Sequence, residues 1–314
     1  MEDMLQWQLH WIKSIQAWPL SGVFAWFFRI ITELGSAWVF FMLIPFIYWC
    51  IDEKKGLRLG IVMIISLWIN LAMKQLFDQP RPFFPNYDAS VNIFGLNEKM
   101  GGFPSGHAQN SLVMWCIIAS WGRKKWLCGS IAAIVCLLIS FSRVFMGVHF
   151  PTDIIGAWLI GGIIVCVYFL AGKKIESLLS AHSTRVGMYA CAVLAFAMIQ
   201  YRPVPELLVP SGLLIGLGFG RHLCRLTGFS VETVGKTGIV KIFILAARFA
   251  VGMGGLVLLY FFSKDMILDM VGNSNFQLIV FIYSLLMAVL IFAGLPGLFC
   301  LLRLAGKNAG SENE

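Results

Sequence analysis

Charge is what this sequence has least of. Asp, Glu, Lys and Arg make up 13% of its 314 residues, about half the quarter usual in soluble domains. Set against a hydrophobic share of 59%, that shortage excludes an ordinary water-soluble globule and points to a membrane protein. Cys-x-x-Cys pairs are also missing. The eight cysteines mostly fall inside apolar runs, which argues against a zinc site or a disulfide framework and for small buried hydrophobes. There is no long polar linker, no low-complexity tract and no internal repeat. The opening residues, MEDMLQWQLHWIKSIQAWPL, begin acidic and lack a continuous apolar core, so they do not read as a signal peptide. A net charge of +8 is spread between apolar runs rather than gathered on one polar face. This excludes a nucleic-acid partner and fits cytoplasmic loop flanks.

Long apolar runs are what the chain has in abundance. Taking about 20 residues to cross the hydrocarbon layer, spans are expected near 34–51, 57–77, 104–122, 126–142, 154–172, 186–202, 206–220, 239–262 and 277–302. The expected fold is all-α, a polytopic membrane helix bundle of about nine spans. Lys54, Lys55, Arg58, Arg123, Lys124, Lys125, Lys173, Lys174, Arg185, Arg221, Arg225, Lys236, Lys241, Arg303 and Lys307 then fall on one face. That face should be cytoplasmic, with the amino terminus outside and the carboxyl terminus inside.

Ahead of the spans, Met4, Trp7, Trp11, Ile15 and Trp18 recur at helical spacing, with Gln8, Lys13 and Gln16 off that face. This is an amphipathic helix, either lying in the headgroup layer or packed on the protein itself. The chain divides into an interfacial segment at 1–33, a core at 34–172 that carries every motif below, and a transmembrane extension at 173–314 without a motif. Arg248, in ILAARFAVGMGG, falls inside an expected span, where a charge is costly and is paired or functional.

Three polar clusters sit at span ends on the face opposite the basic loops. KQLFDQPRP holds Lys74 and Arg81; FPSGH holds Ser105, Gly106 and His107; SRVFMGVHFPTD holds Arg143, His149 and Asp153. Three cations with no obvious acidic partners in their own segments repel one another, so an anion is expected among them. Guanidinium forks match phosphate oxygens, and backbone amides at a helix start are ready anion donors. Four residues separate His149 from Asp153, with Pro151 placed to start a helical turn, so the two side chains share a face. The carboxylate would hold one imidazole N–H and leave the other nitrogen free to attack. His107 would protonate the leaving oxygen and later activate water. Neither a metal nor another cofactor is required. Taken singly, each group has a plainer use, such as snorkelling anchor or helix cap; together they favour chemistry. VGKTG at 234–238 has Ser230 where a phosphate-binding loop needs its first glycine, and is not a nucleotide site.

The three clusters resemble the signature of the type 2 phosphatidic acid phosphatase superfamily, K-x6-RP, P-S-G-H and S-R-x5-H-x3-D, without departure in identity or spacing. The resemblance implies a six-helix phosphatase core and a phosphohistidine formed on His149. It also implies His107 as the acid, Asp153 orienting His149, and Lys74, Arg81, Ser105, Gly106 and Arg143 holding phosphate. It covers residues 74–153 by motif. The layout is similar to glucose-6-phosphatase and the sphingosine-1-phosphate phosphatases. The expected activity is hydrolysis of a lipid phosphate monoester at the extracytoplasmic face. Polyprenyl diphosphate and sugar phosphate are alternative substrates for the same residues, and lipid binding without chemistry is the reading of another class. The motif-poor extension is open to capping the substrate groove, forming a homodimer surface or handling lipid.

Overall fold

The computed structural model describes residues 2–19, 21–84, 87–96, 98, 100–180, 184–231 and 237–306. Most of the VGKTG stretch lies outside them. Among the described residues every regular element is a helix and no strand forms. This is the form lipid demands, since a helix satisfies its own backbone groups. The helices are α1 (Glu2–Gln16), α2 (Ser21–Glu33), α3 (Ala37–Phe46), α4 (Glu53–Phe77), α5 (Gly106–Ser120) and α6 (Lys125–Phe145). They continue with α7 (Pro151–Ser180), α8 (Thr184–Tyr201), α9 (Pro205–Leu226), α10 (Gly238–Asp269), α11 (Phe276–Val289) and α12 (Leu295–Leu301). The chain forms two compact units, residues 1–41 with 69–170, and residues 42–68 with 171–314.

Six helical segments are long and apolar enough to cross a membrane: Glu53–Phe77, Lys125–Phe145, Pro151–Gly172, Pro205–Leu226, Gly238–Asp265 and Phe276–Leu301. A seventh arises if Gly22–Glu33 and Ala37–Ile51, bent by 41° at the break between them, act as one broken span. Two of the nine expected spans, 104–122 and 186–202, correspond to α5 and α8, with 15 and 18 residues, which fall short of that test. A 15-residue helix is about 22 Å long, less than the roughly 30 Å hydrocarbon layer. It can be short and partly polar because protein surrounds it; Gln109, Asn110 and Ser111 are buried with Val113, Met114 and Ile117. In α8, Arg185 and Gln200 lie inside the ends. Residues 1–33 hold two helices, α1 and α2, the second of which packs on α6.

In the first unit α1 lies on the protein. Leu5, Leu9 and Ile12 enter a buried cluster with Ala108, Val144, Phe150, Ile154 and Ala157, while Trp7, Trp11 and Trp18 stay exposed. Polar residues fasten the helix. Gln8 Oε1 accepts the Thr152 backbone N–H and hydroxyl at 2.9 and 3.0 Å. Gln16 donates to the carbonyls of Val91 and Phe145 at 2.8 and 2.7 Å, and Lys13 pairs with Asp88 at 2.6 Å.

In the second unit α9 packs against α8 and α11. Its Gly212, Gly216 and Gly220, four residues apart, form the seam with α11 and the turns after it. A Cβ at Gly216 would lie 2.2 Å from the Leu285 carbonyl oxygen, so only glycine admits that approach. Arg248 is fully buried here. It donates to the Leu304 carbonyl at 2.8 and 2.6 Å, to that of Trp49 at 3.0 Å, and to that of Val231. The charge expected to be paired or functional thus serves as a staple for three backbone segments, its donors taken by carbonyls at helix ends and turns.

Candidate active site

Every sequence-selected site residue lies in the first unit, at the ends of four helices. Lys74 closes α4, Ser105 and Gly106 open α5, Arg143 closes α6, and Asp153 stands in the first turn of α7. Arg81 and His149 lie in the connections between them. Each is held by backbone around it. Lys74 Nζ donates to the carbonyls of Gly101 and Gly102 at 2.7 and 3.2 Å. Arg81 donates through Nε to Met100 O at 2.7 Å and through a terminal nitrogen to Val148 O at 2.9 Å. Arg143 donates to the Thr32 hydroxyl at 3.2 Å.

The turn between α6 and α7 presents the histidine. Gly147 takes φ +69°, and a Cβ there would fall 2.0 Å from Val91 O, so glycine is required twice over. Pro151 then starts α7, where its missing N–H costs nothing. Asp153, two residues on, accepts the Phe150 N–H at 2.9 Å with Oδ2, a carboxylate satisfying the free amide just ahead of the helix. The same oxygen lies 3.1 Å from His149 Nδ1. Gln79 donates to Oδ1 at 3.0 Å. With Nδ1–H donated to Asp153, Nε2 of His149 is the unprotonated nitrogen, and its lone pair accepts an Arg81 terminal N–H at 3.3 Å.

His149 is buried, which pushes its pKa well below the ordinary imidazole value, and the cations of Arg81, Lys74 and Arg143 push the same way. Both causes favour the neutral imidazole. His107 lies within electrostatic reach of His149 and of all three cations.

Two buried donors in the cluster have no partner among the described residues, Ser105 Oγ and Arg143 Nε. Ser105 occupies the cap position of α5, yet its side chain makes no cap bond. The plainer use of this serine therefore does not apply. Gly106 is packed closely enough that a Cβ would lie 3.1 Å from Asn70 Oδ1. Asn70 in turn donates to Pro104 O at 3.3 Å and Gln109 Oε1 at 3.0 Å, tying α4 to the start of α5.

One residue outside the three clusters was not foreseen. The cations do have an acidic partner: Glu98 pairs with Arg81 at 3.1 Å and with Arg143 at 2.5 Å. Burial raises the Glu98 pKa, but Arg143 and then Arg81 outweigh it and hold the carboxyl below its usual range. Glu98 lies in a loop without periodicity, 17 residues from Arg81 and 45 from Arg143. Its only sequence signal was being an acid on the face that holds three cations. Thr32 and Gln79 carried none.

A family model described as the PAP2 superfamily matches residues 55–177, a range that contains Lys74, Arg81, Ser105, Gly106, His107, Arg143, His149 and Asp153. The chain carries a PAP2 superfamily domain. A second model, the transmembrane extension of PAP2 superfamily phosphatases, matches residues 208–307, so the motif-poor half also has relatives, and the chain is an integral multi-pass membrane protein. Sphingosine-1-phosphate phosphatase 2 of Mus musculus is 28% identical over 162 residues, 49% of this chain and 44% of that one. Undecaprenyl-diphosphatase of Sulfolobus acidocaldarius is 31% identical over 144 residues, 41% of this chain and 65% of that one. The matched region thus spans less than two thirds of either relative. The crystal structure of Aquifex aeolicus LpxE aligns at 26% identity with a TM-score of 0.44, covering 51% of this chain and 93% of that one.

Proposed function

We propose that this PAP2 protein is a metal-independent membrane phosphatase that hydrolyses a lipid phosphate monoester at the extracytoplasmic face. The observation that carries this reading is the convergence on His149 Nε2. Nε2 meets Arg81, and two buried donors of the same motif residues, Ser105 Oγ and Arg143 Nε, have no partner among the described residues. An oxyanion among them would satisfy both donors and offset the buried cations.

In the first step Nε2 attacks phosphorus, the phosphorus–oxygen bond to the alcohol breaks, and His107 gives that oxygen a proton. The result is a phosphohistidine on His149 and a free lipid alcohol. In the second step His107 takes a proton from water, whose oxygen attacks phosphorus and returns Nε2 as inorganic phosphate leaves. Asp153 holds the Nδ1 proton throughout. Lys74, Arg81, Arg143, Ser105 and the Gly106 amide stabilise the charge on the transferred group, which is most of what phosphoryl transfer asks of a protein.

The names of the relatives support lipid phosphates as the substrate class, and the undecaprenyl-diphosphatase supports a polyprenyl diphosphate as the second reading. Both use the same residues. The test is turnover by purified protein in detergent, with EDTA present, across lipid monophosphates, polyprenyl diphosphates and sugar phosphates. Hydrolysis of a lipid monophosphate that is blocked by vanadate and abolished in His149→Ala is expected. Full turnover by that variant would end the proposal, and preference for a diphosphate would select the second reading.

A further inference from the structure

Arg81 and Arg143 do not wait empty. Each gives one terminal nitrogen to one oxygen of the same carboxylate, Arg81 to Glu98 Oε2 at 3.1 Å and Arg143 to Glu98 Oε1 at 2.5 Å. Each is a single charge-assisted bond, so two guanidinium groups bridge the two oxygens of one anion, as they could bridge two oxygens of a phosphate. We propose that Glu98 is a built-in counter-anion, occupying the phosphate oxygens' place on this arginine pair and displaced by the substrate's phosphate when it binds. The inference rests on the phosphate-binding role given to the pair above.

The partners differ in how firmly they are held. The arginine side chains are 2% exposed, and each keeps further bonds: Arg81 to Met100 O, Val148 O and Gly101 O, Arg143 to Thr32. The Glu98 side chain is 30% exposed. It stands on a non-helical connection between the 3-10 turn at Ala89–Val91 and the Gly101–Gly102 pair whose carbonyls hold Lys74. Its backbone N–H bonds to Leu96 O at 3.2 Å, within its own loop. The carboxylate is therefore the partner that can leave, toward the exposed side, while the cations stay.

Electrostatics gives the exchange a reason. Buried guanidinium groups without a counter-charge are costly to keep out of water, so an empty site is better held with a resident anion. A phosphate brings more charge and more acceptor oxygens, and it also reaches the unpartnered Arg143 Nε and Ser105 Oγ, which Glu98 leaves unsatisfied. After hydrolysis, the returning carboxylate competes inorganic phosphate off the pair.

The sign of the expected effect separates this from a structural role. If Glu98 only braced the arginines, removing it would weaken anion binding. As a resident competitor, its removal tightens binding, by about tenfold if the Glu98-bound form makes up roughly 90% of the empty enzyme. The experiment measures inhibition constants for inorganic phosphate and vanadate in wild type, Glu98→Gln and Glu98→Ala. Phosphate-dependent thermal stabilisation in detergent gives a readout independent of turnover, and the near-isosteric Gln variant covers a folding defect in the Ala variant. Tighter binding of both anions in either folded variant is the expected result. Unchanged or weaker binding, with wild type still binding phosphate, overturns the inference alone. Absence of binding in wild type and variants alike overturns it together with the phosphatase reading.

Discussion

At the residue scale the site is a problem in proton placement. Asp153 holds one nitrogen of His149 and, in the proposed mechanism, thereby decides which one attacks. Asp153→Asn keeps the shape and loses the charge, so kcat should fall roughly 10²- to 10⁴-fold with little change in KM, as steady-state kinetics would show. Burial, then the neighbouring cations, hold the His149 pKa below its usual value. The reactive form is the unprotonated one, so activity is lost as pH falls through that depressed value. The acid limb of kcat/KM should therefore lie below about pH 6.5, the ordinary imidazole value. Arg143→Gln removes one of the depressing cations and should move the limb upward in whatever activity remains. A limb that stays put would show that another group titrates there.

At the element scale, helix ends hold the site, and turns set where those ends point. Gly147 is the sharpest case, with a positive φ and Val91 O in the space a side chain would need. Gly147→Ala should cost more than the roughly 1–2 kcal/mol of backbone strain alone, because the carbonyl must also move. A lowered thermal midpoint with reduced turnover is expected, whereas an unaltered midpoint would mean the turn relaxes freely. The amphipathic helix at the amino terminus is tied to the same region by Gln16, which bonds the carbonyls of Val91 and Phe145. At about 1 kcal/mol net per hydrogen bond, Gln16→Ala should lower stability by about 1–2 kcal/mol in denaturant unfolding. Sequence periodicity identified this helix and its Trp face. It did not show that the glutamines off that face would be bonded to the protein, because polar residues facing water and polar residues facing a partner have the same spacing.

At the scale of the whole molecule, each unit has its own means of holding buried charge. The first sets Lys74 on backbone carbonyls and Arg81 and Arg143 on Glu98; the second spends Arg248 on three backbone carbonyls. Arg248→Met should lower thermal stability, because each acceptor left bare in the interior costs about 1–3 kcal/mol. KM for the residual folded enzyme should not change, and a shifted KM would assign Arg248 to substrate. Orientation is testable in the same molecule. The rule that basic loops stay in the cytoplasm puts Ser90 outside and Lys124 inside. In a background cleared of native cysteines, Ser90→Cys should react with an impermeant thiol reagent on intact cells, and Lys124→Cys only after permeabilisation. The reverse pattern would invert the topology.

What the sequence determined by itself was whatever depends on local pattern. Apolar runs dictated helices, because lipid leaves the backbone no other partner. Motif spacing named eight site residues, and the four-residue step from His149 to Asp153 placed two side chains on one face. Tertiary structure decided what depends on distance across the chain. It brought Glu98 onto Arg81 and Arg143, turned Arg248 toward carbonyls from three segments, and seated α1 by its glutamines. It also left α5 shorter than a free span, because burial against protein removes the need to match the membrane's thickness. These contacts join residues tens to hundreds of positions apart, and no local periodicity encodes them.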